Sequence, residues 1–231
     1  MKKLVTAFAL CAAISAMAVE SENVVGYQTV TCASGFTVFA PTFLTVGGTP
    51  ITYKDIKGTF EVFDNLQFFD AAGDVTFTAT WYTLEAAGLP DGWYDGEGNS
   101  LADTQILAGK AFFVSLANAG SVTVKGEVNK NAVTVTSEAG FTVTGNCMPK
   151  GVTYGALIVT GIEVFDNLQF FDAAGDVTFT ATWYTLEAAG LPDGWYDGEG
   201  NSLSATVIPA GQGFFLSTAN AGVTIQIPAP L

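Results

Sequence analysis

Residues 91–100 read Asp91-Gly92-Trp93-Tyr94-Asp95-Gly96-Glu97-Gly98-Asn99-Ser100, and the same string returns at 193–202. Asp95, Glu97 and Asn99 fall at i, i+2 and i+4 with glycines between them, a spacing that can aim oxygen ligands at one hard cation such as calcium. Asp91 completes the set, and Asp193, Asp197, Glu199 and Asn201 are its second copy. Against a calcium loop, no glycine follows Asn99 and no bidentate glutamate stands at the twelfth position. The alternative is a solvated hairpin loop in which Asp, Asn and Gly serve turn geometry. Trp93 and Tyr94, repeated as Trp195 and Tyr196, are the other chemical candidates. In a Gly-rich segment they are expected to be exposed, where aromatic rings beside acids and amides suit stacking on sugars. The alternative for them is core filling.

Other chemistry is restricted by what the chain lacks. It has no histidine and no arginine, so Ser-His-Asp and Cys-His arrangements are unavailable and zinc sites of the His/Cys type lack ligands. A carboxylate pair for glycoside hydrolysis remains formally open. Its best acidic cluster would occur twice, which suits a binding module better than an enzyme. The net charge is −14. That charge repels nucleic acid and anionic membrane surfaces and favours divalent cations.

The elements that must position these residues come in duplicate. Glu61–Leu101 and Glu163–Leu203 are the same 41-residue block, 102 residues apart. Weaker similarity continues outside it: 106–124 matches 207–225, and GFTV recurs at 35–38 and 140–143. Within the block, Val75, Phe77, Ala79 and Trp81 alternate with Thr76, Thr78, Thr80 and Tyr82, the period-2 pattern of a half-buried strand. The preceding Leu66–Phe69 run reaches it through Asp70-Ala71-Ala72-Gly73-Asp74, which predicts a hairpin. Trp81 is expected on a core-facing side, and Phe112-Phe113 and Phe214-Phe215 are expected in the core. Further strands are expected at 24–31, 36–43, 104–116, 120–126 and 131–136, with one helix-like piece at Thr83–Gly88. The fold class is therefore all-β: two tandem sandwich- or barrel-like units of about 100 residues, at 19–127 and 128–231. The short link at Glu127–Lys130 favours units packed rigidly with pseudo-twofold symmetry. An outer-membrane barrel fits poorly, because prolines near Leu231 would spoil a closing strand.

Residues 1–18 read as a Sec-type signal peptide. Lys2 and Lys3 precede the apolar run Leu4–Ile14, and Ala16-Met17-Ala18 supplies a cleavage site. Export would leave 6 lysines against 22 carboxylates, net −16, and two cysteines, Cys32 and Cys147. An even count in an exported chain invites a disulfide between them; two buried free thiols are the alternative.

The ordered set GFTV, then TWYT, GWYDGEGN, and AGKAFFV or AGQGFFL, resembles repeat units of uncharacterised exported bacterial proteins that carry a signal peptide and two such units. The resemblance covers nearly the whole chain after residue 18. It implies the two-unit division and export, through motifs that look structural rather than catalytic. The expectation is a periplasmic, cell-surface or extracellular protein that is not an enzyme. It would work in adhesion, matrix or envelope assembly, with an envelope or matrix protein as partner. The alternative is a pair of carbohydrate-binding modules, calcium-assisted, whose partner is a glycan.

Overall fold

A computed structural model describes residues 25–85, 88–186 and 190–230. Residues 1–18, the segment read as a signal peptide, therefore lie outside the described residues. The period-2 segment forms a strand as expected, and the turn before it is built by its own side chain. Asp70 accepts the backbone N–H groups of Ala72 at 2.9 Å and Asp74 at 3.0 Å through Oδ1, with Gly73 at φ 88° closing the bend. The same turn recurs at Asp172.

Among the described residues the first unit has nine strands: β1 (Val25–Cys32), β2 (Gly35–Phe39), β3 (Phe43–Leu44), β4 (Ile56–Gly58), β5 (Asn65–Phe69), β6 (Val75–Tyr82), β7 (Gly92–Tyr94), β8 (Phe112–Leu116) and β9 (Gly120–Val128). The second has ten: β10 (Val133–Thr136), β11 (Gly140–Gly145), β12 (Val152–Thr153), β13 (Ile158–Thr160), β14 (Asn167–Phe171), β15 (Val177–Tyr184), β16 (Gly194–Tyr196), β17 (Val207–Ile208), β18 (Gly213–Thr218) and β19 (Thr224–Ile227). All ladders are antiparallel. A five-stranded sheet ordered β2-β8-β5-β6-β7 has its counterpart in β11-β18-β14-β15-β16. Facing these are smaller sheets, β1-β9-β3 with β4 also on β9, and β10-β19-β13. The chain is all-β, and the strand expected at 104–116 is confined to 112–116. Gly109 at φ 82° and the Lys110-to-Leu107 turn bond interrupt it. The segment at 36–43 likewise splits into β2 and β3, with Pro41 between them. The helix-like piece falls partly outside the described residues, at 86 and 87; at its end the Gly88 N–H bonds to the Glu85 carbonyl.

Strand β8 and its counterpart β18 are buried on both faces, which explains the unbroken Phe-Phe runs. Phe112, Val114 and Leu116 enter the core of their own sandwich with Phe39, Leu66 and Ile56. Phe113 points the other way, into a third core shared by the two units. There Phe113 and Phe215 pack edge to face at 5.6 Å. Each also meets the partner unit's hairpin aromatic, Phe113 with Phe171 at 5.7 Å and Phe215 with Phe69 at 5.7 Å. The matching distances are the signature of a pseudo-twofold axis through this ring cluster.

Two backbone bonds obey the same symmetry. The Phe36 N–H donates to the Ala173 carbonyl, and the Phe141 N–H donates to the Ala71 carbonyl, both at 2.9 Å. The tip of each repeated hairpin thus docks on the GFTV strand of the other unit. That contact explains Gly35 and Gly140: both have φ 98°, and an added Cβ would lie 2.1 and 2.2 Å from those carbonyl oxygens. The result is two sandwiches fused back to back.

Candidate functional site

The residues singled out in the sequence fall on the rim of each five-stranded sheet, where the short β7 and β16 add to β6 and β15. Trp81 pairs with Trp93 and Trp183 with Trp195 in register. The expectation that Trp93 and Tyr94 are exposed is corrected. Trp93 and Trp195 are each only 2% accessible. The reason is a partner distant in sequence: Phe60 packs edge-on against Trp93 at 4.7 Å, and Trp81 meets both, Trp93 at 5.2 Å and Phe60 at 5.1 Å. In the second copy Trp183 takes one side of Trp195 at 5.3 Å and Tyr154 approaches at 6.5 Å. Trp81 itself is partly buried against the same core, as expected. Tyr94 and Tyr196 are buried too. Their hydroxyls donate to the Pro90 and Pro192 carbonyls at 2.7 Å, and their rings meet Tyr82 and Tyr184. None of the four rings offers a free face for a sugar.

The acidic string folds as the turn that was its alternative reading. Asp95 Oδ1 accepts the backbone N–H groups of Glu97 at 2.9 Å and Asn99 at 2.8 Å, while Oδ2 accepts Asn99 Nδ2 at 3.0 Å. Asp197 repeats this with Glu199 and Asn201. The Asn99 side chain, then its backbone N–H, hold the Asp95 carboxyl below the usual carboxylate range. Asn201 does the same for Asp197. Asp91 is occupied elsewhere: its Oδ1 accepts the Leu84 N–H at 2.7 Å, as Asp193 does for Leu186 at 2.8 Å. The carboxylates therefore hold their own loops, and among the described residues no three His, Cys, Asp or Glu side chains converge as a metal set.

Cys32 and Cys147 are both free thiols, which corrects the disulfide expectation. Each is buried in the core of a different sandwich. Burial raises both, Cys147 to about 11.

Two features of the block were not legible in its motifs. Asp64 is a buried carboxylate that accepts the N–H groups of Glu61 at 2.7 Å and Ala117 at 2.8 Å, tying the block to the strand end beyond β8. Asp166 does the same with Glu163 and Ala219. Immediately before each stands a phenylalanine in the left-handed region, Phe63 and Phe165, both at φ 76°. Both are exposed, at 69% and 68%. A bulky aromatic with positive φ is uncommon, costs of order 1–3 kcal/mol, and persists only where its surroundings impose it. Here the neighbouring carboxylate network imposes it. Phe63 stands edge-on to Tyr82 at 5.7 Å, and Phe165 edge-on to Tyr184 at 5.6 Å. The sequence signal that existed was the pair Phe-Asp with no glycine at the strained position.

Fold and rim together define a class: a two-unit all-β protein with duplicated surface features and buried structural aromatics. No protein-family profile matches the chain, and no match was found among curated proteins or solved structures.

Proposed function

We propose that the chain is an exported, non-enzymatic surface protein of the structural or adhesion type, working in the periplasm, at the cell surface or outside the cell. The observation that carries this reading is the pair Phe63 and Phe165, exposed apolar rings held in strained backbone at equivalent places on a doubled body. Such rings add little to the fold's own core, and large apolar rings left exposed at equivalent places mark a contact surface. An outer face of the first sandwich adds Val25, Tyr27 and Val46, exposed at 63%, 77% and 78%. Apolar side chains gathered in that way mark contact surfaces. The partner that fits is an envelope or matrix protein, since flat aromatic and aliphatic faces match protein contacts. The test is co-sedimentation of the chain lacking residues 1–18 with envelope and matrix fractions of the producing cells. Saturable retention is expected. A chain that stays in the supernatant at every concentration overturns the reading.

A further inference from the structure

Where the two sandwiches meet, the seam opens into two grooves related by the pseudo-twofold axis. One, of about 310 Å³, is lined by Phe69 and Phe141 with Thr136, Thr142, Lys110 and Glu138. The other, of about 440 Å³, is lined by Phe171 and Phe36 with Thr31, Thr37, Ala33 and Gln212. Phe141 corresponds to Phe36, Phe69 to Phe171, and Thr136 and Thr142 to Thr31 and Thr37. Both volumes lie in the range of ligand sites, and interfaces between packed units are where such sites concentrate.

The lining chemistry narrows the occupant. Half-buried phenyl rings form apolar walls in each groove, and threonine hydroxyls beside them offer both donors and acceptors. Formal charge is nearly balanced. One groove is lined by one lysine, Lys110, and one glutamate, Glu138. The other holds only Asp172, whose Oδ1 is engaged by the Ala174 and Asp176 N–H groups of its own turn. An anionic ligand would meet no net positive charge there and a chain of net charge −14 around it. A ligand with apolar faces, many hydroxyls and no charge meets a complementary surface.

From this we infer that the seam grooves are a pair of binding sites for neutral oligosaccharides. The two are not equivalent: Lys110 and Glu138 in one correspond to Gln212 and Ala33 in the other, so their affinities differ. This inference stands apart from the protein-contact reading, because it uses none of the rim residues.

The test is isothermal titration of the chain lacking residues 1–18 with neutral tetrasaccharides of gluco, manno, xylo and galacto configuration. At least one is expected to bind at two sites per chain. Thr31→Arg fills one groove and Thr136→Arg the other. Both residues are exposed strand positions, so melting temperatures should stay near the parent's. Each single variant is expected to leave one site, and the double variant to lose at least tenfold in affinity at both. No binding by any of the four sugars overturns the inference, as does full binding by a folded double variant. Peptide binding in the grooves with no sugar binding overturns it as well. Envelope co-sedimentation by the same double variant is expected to be unchanged, which separates failure here from failure of the protein-contact reading.

Discussion

Gly35→Ala tests the back-to-back packing with one methyl group. At φ 98° an L-residue is strained by about 1–2 kcal/mol. The new Cβ would also lie 2.1 Å from the Ala173 carbonyl oxygen, so the hairpin tip of the second unit must retreat by at least about 1.3 Å to reach ordinary contact. That movement breaks the 2.9 Å bond from the Phe36 N–H to the Ala173 carbonyl. A lost hydrogen bond of this kind costs about 1 kcal/mol, more where the groups stay dry. The sum is about 2–3 kcal/mol. Gly98→Ala is the matched control, since Gly98 has φ 83° but open space around its Cβ position. It should cost only the strain, about 1–2 kcal/mol. The difference of about 1 kcal/mol corresponds to roughly 2–4 °C in melting temperature for a chain of this size. Denaturant unfolding followed by tryptophan fluorescence gives both values. If Gly35→Ala is no more damaging than Gly98→Ala, the hairpin tip does not clasp the neighbouring unit.

Asp64→Ala removes the acceptor for two backbone N–H groups and should cost about 2–4 kcal/mol in denaturant unfolding, far more than a surface substitution. Asp95 and Asp197 are held below the usual carboxylate range, so their charge stabilises the fold above the unfolded value near 3.9 and loses that effect as pH falls through the folded value. The melting gap between the parent and an Asp95→Asn/Asp197→Asn variant should therefore be present at pH 7 and close progressively below about pH 4. A gap that widens in acid contradicts the assignment. Native protein lacking residues 1–18 should react slowly with a thiol reagent at pH 8, because burial raises both thiols. In denaturant without reductant it should give two thiols per chain, whereas a disulfide would give none.

The hairpin was legible because Asp70 and Gly73 build their turn locally; the alternation marked the strand that follows, but of its apolar face Val75 and Phe77 are exposed while Ala79 is buried. The doubling was legible from self-similarity, and the short link pointed to rigid packing. Burial of Trp93 was not legible. Glycines around it suggested a loop, but the ring's cover is Phe60, a residue outside the repeated block and replaced by Ile162 in the second unit. The paired cysteines misled for a similar reason: parity says nothing about which core each thiol enters. Phe112-Phe113 announced a strand covered on both faces without saying what covers the second. Only the folded sheet shows that the cover is the other copy, and that the seam so made leaves grooves. Phe63 escaped notice because its backbone strain is imposed by contacts that Asp64 makes with Ala117, far along the chain.

The most direct test of the surface role is envelope binding by Phe63→Gly, Phe165→Gly and the double variant. Glycine relieves the positive-φ strain while losing backbone entropy and an edge contact with tyrosine, so stability should stay within about 1 kcal/mol of the parent. Each single variant should bind more weakly because one of two contacts is gone, and the double variant should lose retention altogether while melting normally. A double variant that is folded and bound like the parent would contradict the account.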